Sequence, residues 1–347
     1  KKIGLYDKVI TELNKSGLEV FELAGVEPNP RHTTVNIGAE ICKKENIDVL
    51  LAVGGGSTID CTKAIAAAAF YDGDGWDLVL GKATVTKALP IVTVLTLSAT
   101  GSEMDPGAVI SNIETNDKYA IIHPLLQPKV SFLDPTNTYS VSAFQTACGG
   151  ADILSHIFDI SYFTNAPKMD MIDNVMEAVI KTVVKYTPVA VGEPNNYEAR
   201  ANLMWASSWA LNGFLSTGAM QAASCHMMEH ELSAFYDITH GLGLAILTPR
   251  WMEYILDETN AKDFKKFGVN VFGVDANLSE MEGAKQAIAA LSDFLFNKLG
   301  LQSTLTELGI DDKNFKVMAE KACAGTVLHG FKVLKPADVE KIYRMCL

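Results

Sequence analysis

Residues 47–70 read IDVLLAVGGGSTIDCTKAIAAAAF, and this stretch decides the fold class. Its first part, 47–53, is an apolar run of the kind found in parallel strands that are buried on both faces. The run passes into GGGS at 54–57 and then into a helical pattern over 58–70. A buried strand, a glycine turn and a helix in this order form the repeating unit of a parallel α/β sheet.

The same alternation of strands and helices continues on both sides of this stretch. The spacing of apolar residues predicts helices over 1–17 and 33–46, a strand at 18–24, a further buried strand at 89–97 and a short strand at 130–134. We therefore expect a doubly wound parallel sheet in the N-terminal part of the chain.

The pattern changes after residue 142, where one helical periodicity follows another with almost no strand signal. The predicted helices cover 142–162, 170–188, 196–216, 220–235, 241–257, 280–299 and 312–324. We therefore predict two domains, an α/β domain at 1–141 and an all-helical domain at 142–347. A cleft between two such domains is a common place for a small-molecule site.

The composition narrows the class of partner. The 347 residues carry a formal net charge of −12, with 48% apolar and 20% charged residues, which does not favour nucleic acid or an anionic membrane. No apolar run reaches the length of a transmembrane helix, and no signal peptide is visible. The six cysteines are scattered without a CxxC pair, which favours reduced thiols and a cytoplasmic location.

Two glycine-containing turns follow predicted strands. GGGS at 54–57 lets the backbone approach a ligand closely, and the helix after it offers free N–H groups and the positive end of its dipole. GGGS alone could be only a tight connection, since it is neither a usual GxGxxG nor a Walker motif. A second turn, SATGSE at 98–103, follows the strand at 89–97. Two such loops at neighbouring strand ends favour a nucleotide site.

Histidines cluster in the helical part, where three of the chain's seven lie in CHMMEHELSAFYDITHG. His226 and His230 are four residues apart, as are Asp152 and His156 in an earlier predicted helix, so each pair shares a helix face. His240 lies where one helix has ended and the next begins, so it can reach the same point. One carboxylate and several imidazoles suit Fe(II), Zn(II), Co(II) or Ni(II), although core packing remains the alternative for any single pair.

The same stretch fits a second kind of metal enzyme. HMMEH at 226–230 matches the H-x-x-E-H pattern of inverted zinc peptidases, in which Glu229 would be the general base. Helical geometry turns Glu229 about 100° away from His230, which argues against a place in the metal cleft. The peptidase hypothesis also leaves the GGGS turn and the pair Asp152 and His156 unexplained.

Together these residues resemble those of the iron-dependent (group III) alcohol dehydrogenases, and most closely the branch of butanol dehydrogenases and broad-range aldehyde reductases. The resemblance covers essentially the whole chain and rests on GGGSTIDCTKAIA (54–66), TLSATGSEMDPGAVIS (96–111), DPTNTYSVS (134–142), GGADILSH (149–156) and HMMEHELSAFYDITHGLGLAILTP (226–249). It implies a Rossmann-like N-terminal domain and an all-α C-terminal domain, the dehydroquinate-synthase-like architecture.

The resemblance also implies a set of site residues. The metal ligands would be Asp152, His156, His226 and His240, holding Fe(II), with Zn(II) or another divalent metal as the alternative. His230 matches a histidine that does not bind the metal but stands near the nicotinamide and the substrate, where it would pass protons.

By the same resemblance the cofactor is NAD or NADP. Its predicted contacts are Gly55, Gly56, Ser57 and Asp60 at the pyrophosphate, Thr96, Ser98 and Thr100 along the nicotinamide, and Lys118 at the ribose. The family has about forty residues ahead of this chain's first helix, including a strand and the turn that meets the adenosine ribose and chooses between NAD and NADP. That choice is therefore not readable from this sequence.

The implied activity is that of an NAD(P)-dependent alcohol dehydrogenase acting on small aliphatic aldehydes or alcohols such as butanal and butanol, with the metal as Lewis acid. Phe158, Met227, Phe235 and Tyr236 suit an apolar substrate pocket, and core packing would explain them equally well. A polyol dehydrogenase or a dehydroquinate-synthase-like lyase is the nearer alternative. We expect a cytoplasmic homodimer without a nucleic-acid or membrane partner.

Overall fold

The computed structural model describes residues 4–165, 169–216 and 223–347. Its N-terminal part contains five strands, β1 (Leu50–Gly54), β2 (Ile91–Leu95), β3 (Gly107–Asn112), β4 (Asp117–Ile122) and β5 (Val130–Phe132). The helices described in this part are α1 (Leu5–Lys15), α2 (His32–Lys44), α3 (Gly56–Ala68) and α4 (Gly75–Val79).

The strands predicted at 47–53, 89–97 and 130–134 form one parallel sheet, as the sequence predicts, and the structure gives its strand order as β1-β2-β5. Leu50 lies opposite Ile91 and Gly54 lies opposite Leu95, so β1 and β2 end at the same level. Parallel strands that end together place the loops that follow them side by side. The sheet therefore brings the two glycine loops to one edge.

The strand predicted at 18–24 is wrong, because these residues pair with no strand among the described residues. Leu18 is 52% exposed and Phe21 is 40% exposed, whereas Leu23 packs against the core of the α/β part. An apolar pattern becomes a strand only where a partner supplies backbone hydrogen bonds, since β-propensity depends on context. Residues 1–3 of the helix predicted over 1–17 lie outside the described residues.

The sequence patterns do not predict the antiparallel hairpin β3–β4. Its turn at 113–116 includes Asn116 in the left-handed conformation, with a φ of 50°. Strand β3 packs against α3, and β4, which carries Lys118, packs against the helix at Ser224–Tyr236. The hairpin therefore extends the α/β part towards the helices that follow.

From residue 143 onwards the described residues are mostly helical. The helices are α5 (Ala143–His156), α6 (Asp170–Gly192), α7 (Tyr197–Leu211), α8 (Ser224–Tyr236), α9 (His240–Ile255), α10 (Ala261–Phe267), α11 (Glu280–Ser292), α12 (Phe315–Ala322) and α13 (Pro336–Met345). The short helices α10 and α13 are not predicted from the sequence. Residues 220–222 of the helix predicted over 220–235 lie outside the described ranges.

Helix α5 begins with a side-chain cap and ends in a change of helical type. Ser142 Oγ accepts a hydrogen bond from Gln145 N, which satisfies one of the free N–H groups at the helix start. After His156 the chain continues as a π-helical segment, Ile157–Tyr162. Such wider turns are frequent at functional sites, and this one directly follows a predicted ligand.

Two glycines bring α5 very close to its neighbours. A Cβ on Gly149 would lie 2.5 Å from Ser98 O, so α5 packs directly on the second glycine loop. A Cβ on Gly241 would lie 2.2 Å from Cys148 O, so α9 packs equally closely on α5. These approaches bring the end of the parallel sheet and two helices of the helical part to the same region.

The described residues contain neither a membrane-spanning helix nor a disulfide bond. Within the described ranges, none of the helices combines the length and the apolar character needed to cross a membrane. All six cysteines are buried and free of disulfide bonds.

Candidate active site

The two glycine loops lie side by side at the carboxyl ends of β1 and β2. Thr96 N donates to Gly54 O at 3.0 Å just beyond the last paired residues. A Cβ on Gly56 would lie 2.4 Å from Thr100 Oγ1, so the loops touch and only glycine fits here. Helix α3 begins at Gly56 without a side-chain cap, which leaves its first N–H groups available to an anion. This edge suits a pyrophosphate.

The remaining predicted residues at this edge differ in their surroundings. Three are partly exposed beside the helix start and the second loop, namely Gly55, Ser57 and Ser98. Asp60 instead accepts hydrogen bonds from Ser102 Oγ at 2.5 Å and from Val109 N at 2.9 Å. Because both carboxylate oxygens have partners within the protein, Asp60 braces α3 against the second loop and β3, a role that the sequence does not predict.

Lys63 stabilises the same edge and was missed by the sequence analysis. Its side chain is fully buried, and Nζ donates to Asp105 Oδ1 at 3.1 Å, to Asp105 O at 2.8 Å and to Gly107 O at 2.6 Å. Burial raises the pKa of Asp105 to about 6, although Lys63 opposes this shift. The lysine therefore holds the segment after the second loop in place rather than facing solvent.

A cluster of metal-binding side chains lies where α5, α8 and α9 meet. One ligand atom each of Asp152, His156 and His226 lie within 4.8 Å of one another. His240 Nε2 lies 3.8 Å from Asp152 Oδ1, and the rings of His156 and His226 stack with centroids 4.7 Å apart. The cluster is close to the second glycine loop, because Gly149 contacts that loop one helical turn before Asp152.

The buried polar atoms of this cluster fit a bound cation. Asp152 Oδ1, His156 Nδ1 and His226 Nε2 are buried and have no hydrogen-bond partner. Unpaired buried polar atoms are costly, so three of them on neighbouring residues of one cluster indicate a ligand that satisfies them together. Desolvation holds the pKa of His156 and of His240 well below the usual range, and neutral imidazole is the form that binds metals. This donor set suits Fe(II) or another first-row divalent cation.

Two carboxylates orient the rings of this cluster. Asp159 Oδ2 accepts from His226 Nδ1 at 3.0 Å, which leaves His226 Nε2 for a metal. Glu229 contacts His240 Nδ1 in the same manner. The sequence carries a signal for Asp159, because residues 152, 156 and 159 follow the i, i+4, i+7 spacing of one helix face.

The prediction that Glu229 points away from the metal cleft is wrong. That prediction measured its direction from His230, one residue further along the helix. Glu229 lies three residues after His226, which places it only about 60° round the helix from that residue. Its carboxylate therefore lies among the histidines of the cluster.

The chain matches the family model described as iron-containing alcohol dehydrogenase over residues 1–135 and the C-terminal model of the same family over residues 146–347. The chain belongs to the iron-containing alcohol dehydrogenase family. It is 50% identical over 346 residues to NADH-dependent butanol dehydrogenase A of Clostridium acetobutylicum. The matched region covers 99% of this chain and 88% of that protein. It is 37% identical over 324 residues to an NADPH-dependent aldehyde reductase of Escherichia coli, and the matched region covers 92% of this chain and 82% of that protein.

A solved structure is similar along nearly the whole length. The crystal structure of NADH-dependent butanol dehydrogenase A from Thermotoga maritima has a TM-score of 0.94 and 38% identity, covering 99% of this chain and 88% of that one. The predicted family, fold class and enzyme class are therefore confirmed. The protein is an NAD(P)-dependent oxidoreductase of the alcohol dehydrogenase class and belongs to a family described as iron-containing.

The zinc-peptidase hypothesis is wrong, because the chain belongs to the iron-containing alcohol dehydrogenase family. The surroundings of Glu229 show why this residue is not a general base. A general base needs a carboxylate that can take a proton from water. Glu229 is fully buried, and its oxygens are engaged by Lys118, Ser233 and His240.

Two further predicted residues of this alcohol dehydrogenase lie at the same cluster. The ring of His230 is buried with its centroid 5.8 Å from that of His240, and desolvation together with the nearby Lys118 holds the pKa of His230 well below its usual range. Lys118 is buried, with Nζ 3.3 Å from Glu229 Oε2 and 3.3 Å from His240 Nδ1. The ribose contact of Lys118 and the proton transfer by His230 stay predictions.

The apolar residues considered for a substrate pocket serve mainly in packing. Phe158 is 1% exposed and packs edge-to-face on Phe267 in the helical core. Phe235 lies under the ammonium group of Lys321, and Tyr236 accepts a hydrogen bond from a side chain before α12. Met227 is partly buried against the same core. Core packing is thus the better interpretation of these four positions.

Proposed function

We propose that this enzyme interconverts small aliphatic aldehydes and alcohols such as butanal and butanol, with NADH as cofactor and iron as metal. The substrate is taken from the relatives: the butanol dehydrogenase of Clostridium acetobutylicum is 50% identical to this chain. The choice of NADH is supported in the same way, because the NADPH-dependent reductase of Escherichia coli is only 37% identical.

The three unpaired buried atoms on the neighbouring residues Asp152, His156 and His226 carry the metal part of this proposal. We assign these residues and His240 as the ligands. When bound, the iron supplies a Lewis acid that polarises the substrate oxygen. The carboxylates next to the histidines support this assignment, because ligand histidines generally donate their second N–H to such a group.

The protein's own residues would bind the cofactor, place it beside the metal site and transfer the proton. The uncapped start of α3 holds the pyrophosphate through its free N–H groups, with Gly55 and Gly56 allowing close approach. Thr96, Ser98 and Thr100 would contact the nicotinamide, because their loop packs on α5 at Gly149, one turn before the proposed ligand Asp152. His230, whose ring lies beside that of His240, would relay the alcohol proton to solvent.

Anaerobic reconstitution with Fe(II) tests this proposal directly. We would follow NADH and NADPH absorbance with butanal, with and without a chelator, in the parent and in an Asp152→Asn variant. We expect chelator-sensitive oxidation, faster for NADH, and loss of both metal and activity in the variant. His329→Ala is the matched control, because His329 is exposed and outside the cluster, so metal and activity should remain.

Two results would contradict different parts of the proposal. Full metal content in the Asp152→Asn variant would remove the ligand assignment. If neither NADH nor NADPH were oxidised with butanal despite bound metal, the proposed substrate would be wrong. We would then test 1,3-propanediol, because a 1,3-propanediol dehydrogenase of Citrobacter freundii is 34% identical to this chain.

We further propose that the enzyme is a homodimer in the cytoplasm. The family resemblance supports the dimer, and six buried, unpaired thiols suit a reducing compartment. Sedimentation equilibrium would test the assembly, and the mass of a single chain would contradict it.

A further inference from the structure

Glu229 is fully buried on α8, yet its carboxylate contacts three polar side chains from different places in the chain. Lys118 Nζ lies 3.3 Å from Oε2, Ser233 Oγ donates to Oε1 at 2.5 Å, and His240 Nδ1 contacts Oε2. Lys118 belongs to β4 and His240 begins α9. One carboxylate therefore joins the hairpin of the α/β part to two helices that carry proposed metal ligands.

The neighbouring helix leaves room for this side chain. Gly243 lies one turn after His240 on α9, and a Cβ there would be 2.8 Å from Glu229 Cγ and 2.9 Å from Oε1. A larger residue at 243 would collide with the side chain of Glu229 and force it to move. The contact between Glu229 and His240 thus depends on a specific gap in the packing.

These residues do not form a second metal site. One ligand atom each of Glu229, His230 and His240 lie within 4.8 Å of one another, which is the composition of a cation site. Lys118 already supplies a cation there, because its Nζ is 3.3 Å from both Glu229 Oε2 and His240 Nδ1. The carboxylate therefore serves the histidine and the lysine.

We propose that Glu229 is a positioning residue that fixes His240 as a metal ligand and offsets the charge of Lys118. The inference rests on the proposed function, because it requires the histidine cluster to hold a metal. Hydrogen bonding at Nδ1 fixes the tautomer and directs Nε2, which lies 3.8 Å from Asp152 Oδ1, into the cluster. Without the carboxylate, the ammonium group of Lys118 would face a divalent cation unpaired and oppose its binding.

Asp159 plays a simpler part for the other ring. It accepts from His226 Nδ1 at 3.0 Å, from the backbone N of the same residue at 2.9 Å and from Ser224 Oγ at 3.2 Å. All three donors lie in the first turn of α8. Glu229 differs because it also pairs with a charged group from the α/β part.

The hairpin that carries Lys118 has an independent anchor. Lys321 of α12 pairs with Asp117 at 2.7 Å, directly beside Lys118 in the chain. Changing Glu229 should therefore leave the ammonium group of Lys118 near the cluster, so that its repulsion can be measured.

The test uses Co(II) as a coloured metal probe in the whole protein. Glu229→Gln keeps the size of the side chain and an acceptor oxygen but removes the charge. We expect its Co(II) affinity, measured by chelator competition, to fall about 10- to 100-fold, with an altered visible Co(II) spectrum. Glu231→Gln is the matched control, because Glu231 lies on the same helix and is 2% exposed, and it should bind Co(II) as the parent does.

A double variant separates charge from shape. Lys118→Met alone should bind Co(II) at least as tightly as the parent, and Glu229→Gln combined with Lys118→Met should recover most of the lost affinity. Recovery supports the proposed offset of charge. Failure to recover would refute the link to Lys118, because a purely structural defect would persist in the double variant. Far-UV circular dichroism and thermal unfolding confirm that each variant is folded.

The remaining outcomes are distinct from one another. Parent-like Co(II) affinity and spectrum in Glu229→Gln would overturn the inference while the proposed function stands. Equal losses in Glu229→Gln and Glu231→Gln, with lower melting temperatures, would assign Glu229 to packing alone and also overturn it. If the parent binds no Co(II), or if Asp152→Asn still binds it, the proposed metal site itself fails and the inference fails with it.

Discussion

Replacing Gly56 by alanine should separate the two cofactor loops and leave the histidine cluster intact. The added Cβ would lie 2.4 Å from Thr100 Oγ1, 2.5 Å from its Cγ2 and 3.0 Å from its Cβ. Ordinary contact begins at 3.4 Å, so the loops must move apart by about 1 Å if Thr100 keeps its rotamer. Rotation of the threonine side chain relieves the collision only in part, because its Cβ would still be about 0.4 Å too close.

The expected energies follow from this distance. Overpacking of this kind costs about 1–3 kcal/mol, and the better helix propensity of alanine returns at most about 1 kcal/mol. A misplacement of about 1 Å near a reacting group can lower the rate about 100-fold. We therefore expect the Gly56→Ala variant to stay folded while its kcat/KM for NADH falls about 10- to 100-fold.

Three measurements on one preparation check this prediction: NADH titration by fluorescence, kcat/KM with butanal, and Co(II) affinity. NADH binding and kcat/KM should fall together, whereas Co(II) affinity should match that of the parent. The control is Gly192→Ala at the end of α6, where an added Cβ meets nothing within 4 Å. A folded Gly56→Ala variant that binds NADH like the parent would refute the pyrophosphate assignment of these loops.

Three further predictions concern buried groups. Lys63→Met should lower the free energy of unfolding in urea by about 3–5 kcal/mol, because it leaves the buried Asp105 carboxylate unpaired, and an unchanged midpoint would contradict this. Burial raises the pKa of Glu231 from 4.5 to about 7, so the folded chain binds more protons than the unfolded chain between these values. The free energy of unfolding of the parent should therefore fall by up to about 3 kcal/mol, relative to Glu231→Gln, as the pH rises from 4.5 to 7, and parallel pH profiles would argue against it. Gly241→Ala places a Cβ 2.2 Å from the backbone O of Cys148, which cannot rotate away. We expect a lower melting temperature together with lost Co(II) binding, and retention of both would show that α9 tolerates the shift.

Local patterns were sufficient for the elements that carry the site. The apolar runs predicted at 47–53 and 89–97 overlap β1 and β2, and the helix after GGGS starts at Gly56, within the turn itself. The spacing of Asp152 and His156 places both on one face of α5, because a helix repeats every 3.6 residues. Such information is contained within a single element.

The pairing of strands from distant segments could not be predicted from local apolar spacing. Residues 18–24 have an apolar pattern but no partner strand among the described residues, whereas the hairpin β3–β4 has partners and a weak pattern. Strand formation depends on which neighbour supplies the hydrogen bonds, and no local spacing contains that information.

The sequence by itself determined the parallel sheet, the two glycine loops, and the residue types and helix faces of the histidine cluster. Only the tertiary structure decided which faces meet: it brings Glu229 of α8 to His240 of α9, and Lys118 of a distant hairpin to both. The physical reason is that spacing sets the direction of a side chain relative to its own helix axis. The packing of α5, α8 and α9, through gaps such as those at Gly241 and Gly243, sets how those axes lie towards one another.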